Sequence, residues 1–376
     1  MRDVVLGSGP FVFEEYDPTA GGRLTRNERY WERGKPYLDS LRLDILPDKR
    51  TALAALATRR LDLYLEEASA QDVALVDRSV PGVVAWRWRD PVAGPEVLVN
   101  ASKSPFHDVR VRKALRLAVD NDAMHRADSN KGSLAWNSPL GLTAWGLSQE
   151  ELSRRDEHAA SLSARQRAAR ELLQQAGVRS GLQVTVMVAD PAQESASGGQ
   201  PAGLFGSAPS TITSPKAVAK AEVLAESFRA LGLDVPPVQK RSPSQFQTDL
   251  LLLRYDVAVV DIEFEGYPDP DGLKSFWADR GPRNYTGFRD PELDALLRQQ
   301  SVVLATGERM EMVQQIQRQI LDSYAAFYLP LALPNEESPA VALSQPWVRG
   351  FRYDWLGARL GNLRFDEVWL DSPPAR

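Results

Sequence analysis

The stretch that most constrains this chain is Tyr255–Trp277, YDVAVVDIEFEGYPDPDGLKSFW. Val257, Ala258, Val259, Val260 and Ile262 make a short apolar run rich in β-branched residues. That is the composition of a strand buried on both faces, as in an α/β protein. The character then changes abruptly. Glu263, Phe264, Glu265, Gly266 and Tyr267 mix charge, aromatic and glycine, and Pro268–Gly272 is a cluster of turn residues. Ligands of α/β proteins bind where buried strands run out into loops. The stretch therefore reads as a candidate wall of a binding site, the alternative being an ordinary strand followed by a surface turn.

Composition narrows the function. A chain of 376 residues suggests two or three domains or lobes. The net charge of −5 with mixed signs gives no nucleic-acid footprint. The absence of cysteine excludes disulfides and thiolate metal sites. His107, His125 and His158 fall on separate elements, so neither a metal site nor a histidine-based triad is expected. No cofactor is implied, because GSGPF and the Gly21–Gly22 pair lack the context of a nucleotide loop. No apolar run approaches the roughly 20 residues that span a membrane. MRDVVLGSGP lacks the basic and apolar regions of a signal peptide.

Taken in order, the chain alternates strand and helix signals. Val12–Phe13 and Leu24–Asn27 flank a turn, and Leu41, Leu43 and Ile45 alternate as in a half-buried strand. Asp48 and Asp108 are helix caps, and Asp290-Pro291-Glu292 is a strong helix start. The helix after Asp108 carries Val111, Leu115, Ala118 and Val119 on one face. Arg110, Arg112, Lys113 and Arg116 are expected on its solvated face. Residues 190–214 are low in complexity and read as a loop.

Several ordered motifs resemble the family 5 extracellular solute-binding proteins, the oligopeptide, dipeptide and nickel-type receptors of ABC importers. They are GSGPF, RNERYWERGKPYLDSLRLDILPD, and VLVNASKSPFHDVRVRKALRLAVD with Asn100, Pro105, Phe106, Asp108, Arg110, Val111, Arg112 and Ala114. GYPDPDGLKSFW, NYTGFRDPELDALL and WVRGF follow in the family's order. The resemblance implies an α/β, two-lobed periplasmic-binding-protein-like fold with mixed sheets. Lobe I is expected from 1–103 and from a return at 336–376, and lobe II from 104–335. Hinge strands are expected near Leu98–Lys103 and Leu331–Glu337. Family members are much longer, so the first lobe is expected to be incomplete and the export signal missing. The location implied is extracytoplasmic by family, or cytoplasmic if the start is real.

The resemblance also implies a small-molecule ligand, ABC permease subunits as partners, no nucleic acid and a monomer. Loop aromatics in this family line the ligand cleft and supply large contact area. Trp136, Asn137, Glu263, Glu265, Gly266, Tyr267, Trp277 and Tyr285 are the expected ligand-binding residues. The alternative for each aromatic is core packing. Peptide-binding members carry an acid just before the aromatic of the GYPDP loop, and it pairs with the ligand's α-ammonium group. Gly266 occupies that position here, so peptides with free N-termini are expected to be poor ligands, and a sugar, modified peptide or opine-like compound a better one. Two other readings stand beside this one. Glu263 and Glu265 face the same way on extended backbone and offer an acid–base pair for an enzyme built on the scaffold. The chain is otherwise a truncated copy without independent function.

Overall fold

The computed structural model describes residues 7–87, 94–127, 134–178, 181–190, 215–260, 269–333, 340–352 and 364–371. Contacts divide the chain into two units, 1–89 with 334–376, and 90–333. In the first unit β1 (Phe11–Asp17), β2 (Gly21–Arg26) and β3 (Ser40–Asp44) form an antiparallel sheet. Val12, Phe13, Tyr16 and Leu43 of this sheet are exposed, as is Ile45 beyond it, so the expected half-burial of Leu43 and Ile45 is not met. Asp48 caps α1 (Lys49–Ala57) by accepting from the Thr51 amide. After β4 (Leu63–Tyr64), Ser69 and Asp72 close a capping box on α2 (Ala70–Ser79), and β5 (Val84–Trp86) ends the run.

The second unit begins with β6 (Val97–Val99), α3 (Val109–Ala118), α4 (Asn121–Ala127) and β7 (Leu134–Ala135). It continues with α5 (Gln149–Ser153), α6 (Asp156–Ala159), α7 (Leu162–Gln175), β8 (Val186–Ala189) and α8 (Pro215–Arg229). Then come β9 (Gln239–Arg241), α9 (Pro243–Leu251), β10 (Val257–Val259), α10 (Leu273–Trp277) and α11 (Pro291–Gln299). α12 (Thr306–Ser323), β11 (Ala326–Phe327) and β12 (Leu331–Ala332) close it. The chain returns to the first unit with β13 (Ala342–Ser344), which pairs with both β4 and β5. β14 (Val348–Arg349) then pairs with β15 (Trp369–Leu370).

A mixed sheet of order β11-β6-β10-β8-β9 organises the second unit. β10 runs parallel to β8 and antiparallel to β6. Its three residues are fully buried, as their composition requires. Alternation then splits the unit into two cores. Val97, Val99, Val186, Val188, Val257 and Val259 face one core with α3, α7 and α8. Leu98, Met187, Ala258 and Val260 face the other with α9, α10, α11 and α12. The sequence reading ends the first lobe at 103, whereas β6 pairs inside the second unit.

The family-like motif around residue 100 is scaffold. Asn100 is buried. Its Nδ2 donates to the Leu253 and Tyr255 carbonyls, and its Oδ1 accepts from the Ser102 amide and hydroxyl. It therefore joins the end of β6 to the start of β10. Asp108 caps α3 through the Arg110 amide. The basic face expected on α3 is corrected: Arg112 and Arg116 are only 3% and 2% exposed. Arg112 Nε donates to the Ser323 carbonyl at 2.7 Å, and its Nη1 to those of Phe106 and His107 at 2.7 and 2.9 Å. Three backbone acceptors otherwise left unpaired make burial of this guanidinium favourable. The burial pushes its pKa down to about 10, so it remains a cation at neutral pH.

Replacing it with a side chain that cannot reach those carbonyls is expected to be costly. Arg112→Ala should destabilise the second unit by about 3 kcal/mol or more. A fall in the urea midpoint checks this, and an unchanged midpoint contradicts it.

Candidate functional site

Two segments of the second unit meet α12: the loop running from Trp136 to Gln149, which carries the expected site residues Trp136 and Asn137, and the Asp269–Gly272 turn that opens α10. Both are anchored on α12. Gln317, fully buried on α12, accepts from the Ser138 hydroxyl and the Leu140 amide through Oε1. Its Nε2 donates to the Trp145 carbonyl at 2.7 Å. Arg309, one turn into α12, lies over the Trp145 ring at 5.2 Å and donates to Asp269 Oδ1 at 2.8 Å. Asp269 also caps the short helical turn at Pro270–Gly272 by accepting from the Asp271 amide. One arginine thus ties the Asp269–Gly272 turn to the Trp145 loop. Neither Gln317 nor Arg309 was singled out from sequence; both look like ordinary polar positions of an amphipathic helix.

The expected site residues do not share one environment. Trp136 is half-buried and packs at the edge of the second core. Asn137 is buried. Its Nδ2 donates to the Gly94 carbonyl at 3.3 Å and its Oδ1 accepts from the Ser138 amide at 2.8 Å. Trp277 and Tyr285 are 4% and 9% exposed and belong to the core, the alternative weighed for every aromatic. They meet across a small cavity shared with Leu98, Phe276 and Arg283. Glu263, Glu265, Gly266 and Tyr267 lie outside the described residues.

Beneath Trp136 sits a buried charge cluster with no local mark in the chain. His158 of α6 stacks on the Trp136 indole, ring centroids 4.0 Å apart and planes 12° apart. Its Nδ1 lies 2.8 Å from the Leu152 carbonyl and its Nε2 lies 3.1 Å from Arg116 Nη2. Burial, then the Arg116 charge, push the His158 pKa down to about 4. Arg116 is itself lowered to about 10 by burial. Burial opposes ionisation of Glu157, yet Arg116 and Arg155 hold its carboxyl below the usual range. Glu157 Oε1 accepts from Arg155 Nε at 2.7 Å, while its buried Oε2 has no hydrogen-bond partner. Among the described residues no group of three or more His, Asp or Glu could hold a metal ion.

The family model for bacterial extracellular solute-binding proteins, family 5, matches residues 2–284. The chain belongs to the family 5 solute-binding proteins. Its relatives include heme-binding protein A of Haemophilus influenzae, 32% identical over 145 residues, with 39% of this chain and 26% of that protein covered. The dipeptide-binding protein of Escherichia coli is 26% identical over 151 residues, again 39% and 26%. The structure of HbpA2 from Haemophilus parasuis superposes with a TM-score of 0.70 at 20% identity, covering 96% of this chain and 64% of that one. The matched stretches therefore span about a quarter of each of those two relatives, and the fold spans 64% of that solved structure. The family 5 likeness confirms the expected α/β class with mixed sheets, that of two-lobed periplasmic binding proteins. These relatives are binding proteins rather than enzymes, which sets aside the acid–base reading of Glu263 and Glu265. No helix among the described residues is long and apolar enough to cross a membrane.

The His158 shift fixes a pH dependence. Its folded pKa lies below the ordinary 6.5, so on acidification the unfolded chain binds this proton first. The associated stability is complete above about pH 6.5 and is lost as pH falls through about 4. The expected loss is on the order of 3 kcal/mol. His158→Gln should flatten that part of the stability–pH curve in chemical denaturation; a parallel curve contradicts the assignment.

Proposed function

We propose that this chain acts in solute capture for an ABC importer, binding a small organic ligand between two lobes that close about a hinge. The family match over residues 2–284 carries this reading. The same reading assigns it permease subunits as partners, an extracytoplasmic location and a monomeric state. Its lobes follow the two units, 1–89 with 334–376 and 90–333, in place of the expected boundary at 103, so that β6 stays with its sheet. Ligand contacts come from Trp136 and from the Glu263–Tyr267 loop, with Trp277 and Tyr285 shaping the site from the core. Asn137 contributes chiefly by holding the backbone, since its amide is already engaged.

Relatives named for heme and for dipeptides bind quite different solutes, so the family alone does not set the ligand. Gly266 supports a narrower reading. Glycine supplies no carboxylate for an α-ammonium group, and loss of one partner of a desolvated ion pair costs about 3–5 kcal/mol. The ligand is accordingly peptide-like without a free N-terminus, or a sugar or opine-like compound.

Calorimetry tests this with di- to pentapeptides, their N-acetylated forms, simple sugars, opines and hemin. Free-N-terminus peptides should bind no better than millimolar. Gly266→Asp should tighten dipeptide binding at least tenfold, an effect that N-acetylation of the dipeptide abolishes. Micromolar binding of free peptides to the unaltered chain, lost on N-acetylation, would overturn the assignment.

A further inference from the structure

Trp136 is held unusually firmly for a half-buried loop residue. It follows the two-residue strand β7, which pairs with β12. Beyond that ribbon a side chain bonds its backbone in the manner of a strand. Gln149 Oε1 accepts from the Trp136 amide at 2.7 Å, and Gln149 Nε2 donates to the Trp136 carbonyl at 2.8 Å. Gln149 opens α5, whose N-terminus is capped by Ser148 accepting from the Glu151 amide. The backbone of Trp136 is thereby fixed by a capped helix.

The indole is fixed separately, by the His158 imidazole lying parallel to it. Which nitrogen of that imidazole carries the proton follows from its partners. A backbone carbonyl only accepts, so Nδ1 facing the Leu152 carbonyl holds the hydrogen. A guanidinium only donates, so Nε2 facing Arg116 presents its lone pair. The ring is one neutral tautomer with both nitrogens satisfied; the other tautomer would set an N–H against a guanidinium, and a flipped ring would set C–H groups against both partners. Arg116 from α3 faces the ring directly. Glu157 and Arg155 flank it, and Tyr324 at the end of α12 lines the same small cavity. Farther out, Lys113 pairs with Asp156, and Arg155 with Asp322.

We propose that His158, locked as a single neutral tautomer between Arg116 and Leu152, is the positioning residue that fixes the plane of the Trp136 indole as a pre-set stacking platform for the ligand. An aliphatic side chain in its place would fill the space but leave the indole free to rotate about its ring plane. A flat ring supported by two directional hydrogen bonds specifies that plane. A platform of this kind favours a flat, uncharged ligand group, an aromatic ring or a planar amide, and loses little entropy on binding. The inference rests on the reading of Trp136 as a ligand contact.

Fluorine NMR on the chain labelled with 5-fluorotryptophan tests it, the Trp136 signal being assigned by its loss in Trp136→Phe. The expected wild-type signal is sharp and moves on acidification with a midpoint near pH 4, that of His158. His158→Gln should broaden or shift the signal and abolish the midpoint, while the Trp277 signal stays in place. A Trp136 signal with no acid midpoint in the wild-type chain, or one unchanged by His158→Gln, overturns the positioning role and leaves the ligand reading standing. The wild-type titration needs only the Trp136→Phe assignment, so a His158→Gln chain that fails to fold leaves the test intact. Addition of hemin and of N-acetylated tripeptides addresses the platform. A bound probe that moves the Trp136 signal supports it. A probe shown by calorimetry to bind without moving that signal overturns the ligand reading of Trp136, and the platform with it.

Discussion

The second unit depends on one buried seam, the antiparallel pairing of β6 with β10. Both strands are apolar on both faces, so each needs cover above and below. Successive side chains point to opposite faces, and the sheet distributes them between two cores. A one-residue slip would exchange valines with leucine, methionine and alanine across both cores at once. The register is pinned by polar groups at the strand ends rather than along them. Asn100 bonds the carbonyls of Leu253 and Tyr255, and Asp256 receives Lys103 and the Thr185 amide and hydroxyl.

The same logic governs the guanidinium groups around α3. Arg112 gathers carbonyls from residues 106, 107 and 323. Arg165 on α7 donates to the Leu117 and Val119 carbonyls that the end of α3 leaves open. Arg116 turns instead to His158 and Asn121. Arg112 and Arg165 direct their charge at backbone dipoles, and Arg116 also faces the Glu157 carboxylate. The cluster under Trp136 is thus continuous with the structural work of the helix, and the candidate ligand loop inherits rigidity from the fold. α12 provides the second anchor, through Gln317 and Arg309, for the Trp136–Gln149 loop and the Asp269–Gly272 turn.

What could be read in the sequence was local or repetitive. The caps at Asp48, Asp108 and Asp290 were legible because a cap involves a side chain and an amide two or three residues away. The buried strand at Val257–Val259 was legible because its neighbours repeat the same chemistry. The basic face of α3 was misread because the partners of Arg112 and Arg116 come from distant segments. Helical periodicity shows which side a residue is on, but not whether carbonyls wait there. Trp277 and Tyr285 carry no local mark separating a core aromatic from one that meets a ligand. Gln149, which takes the place of a strand beside Trp136, resembles any residue at the start of a helix.

The sequence by itself determined the α/β class, the family and many of the local elements, and it raised Gly266 as a question about ligand chemistry. These follow from pattern, composition and motif order, all of which are one-dimensional. Only the tertiary structure decided that Asn100 and Arg112 are scaffold, that Trp136 and His158 form one stacked unit, and that His158 is held neutral. Those depend on which unpaired donors and acceptors meet after folding, and a buried polar group takes its role from the partner it finds there.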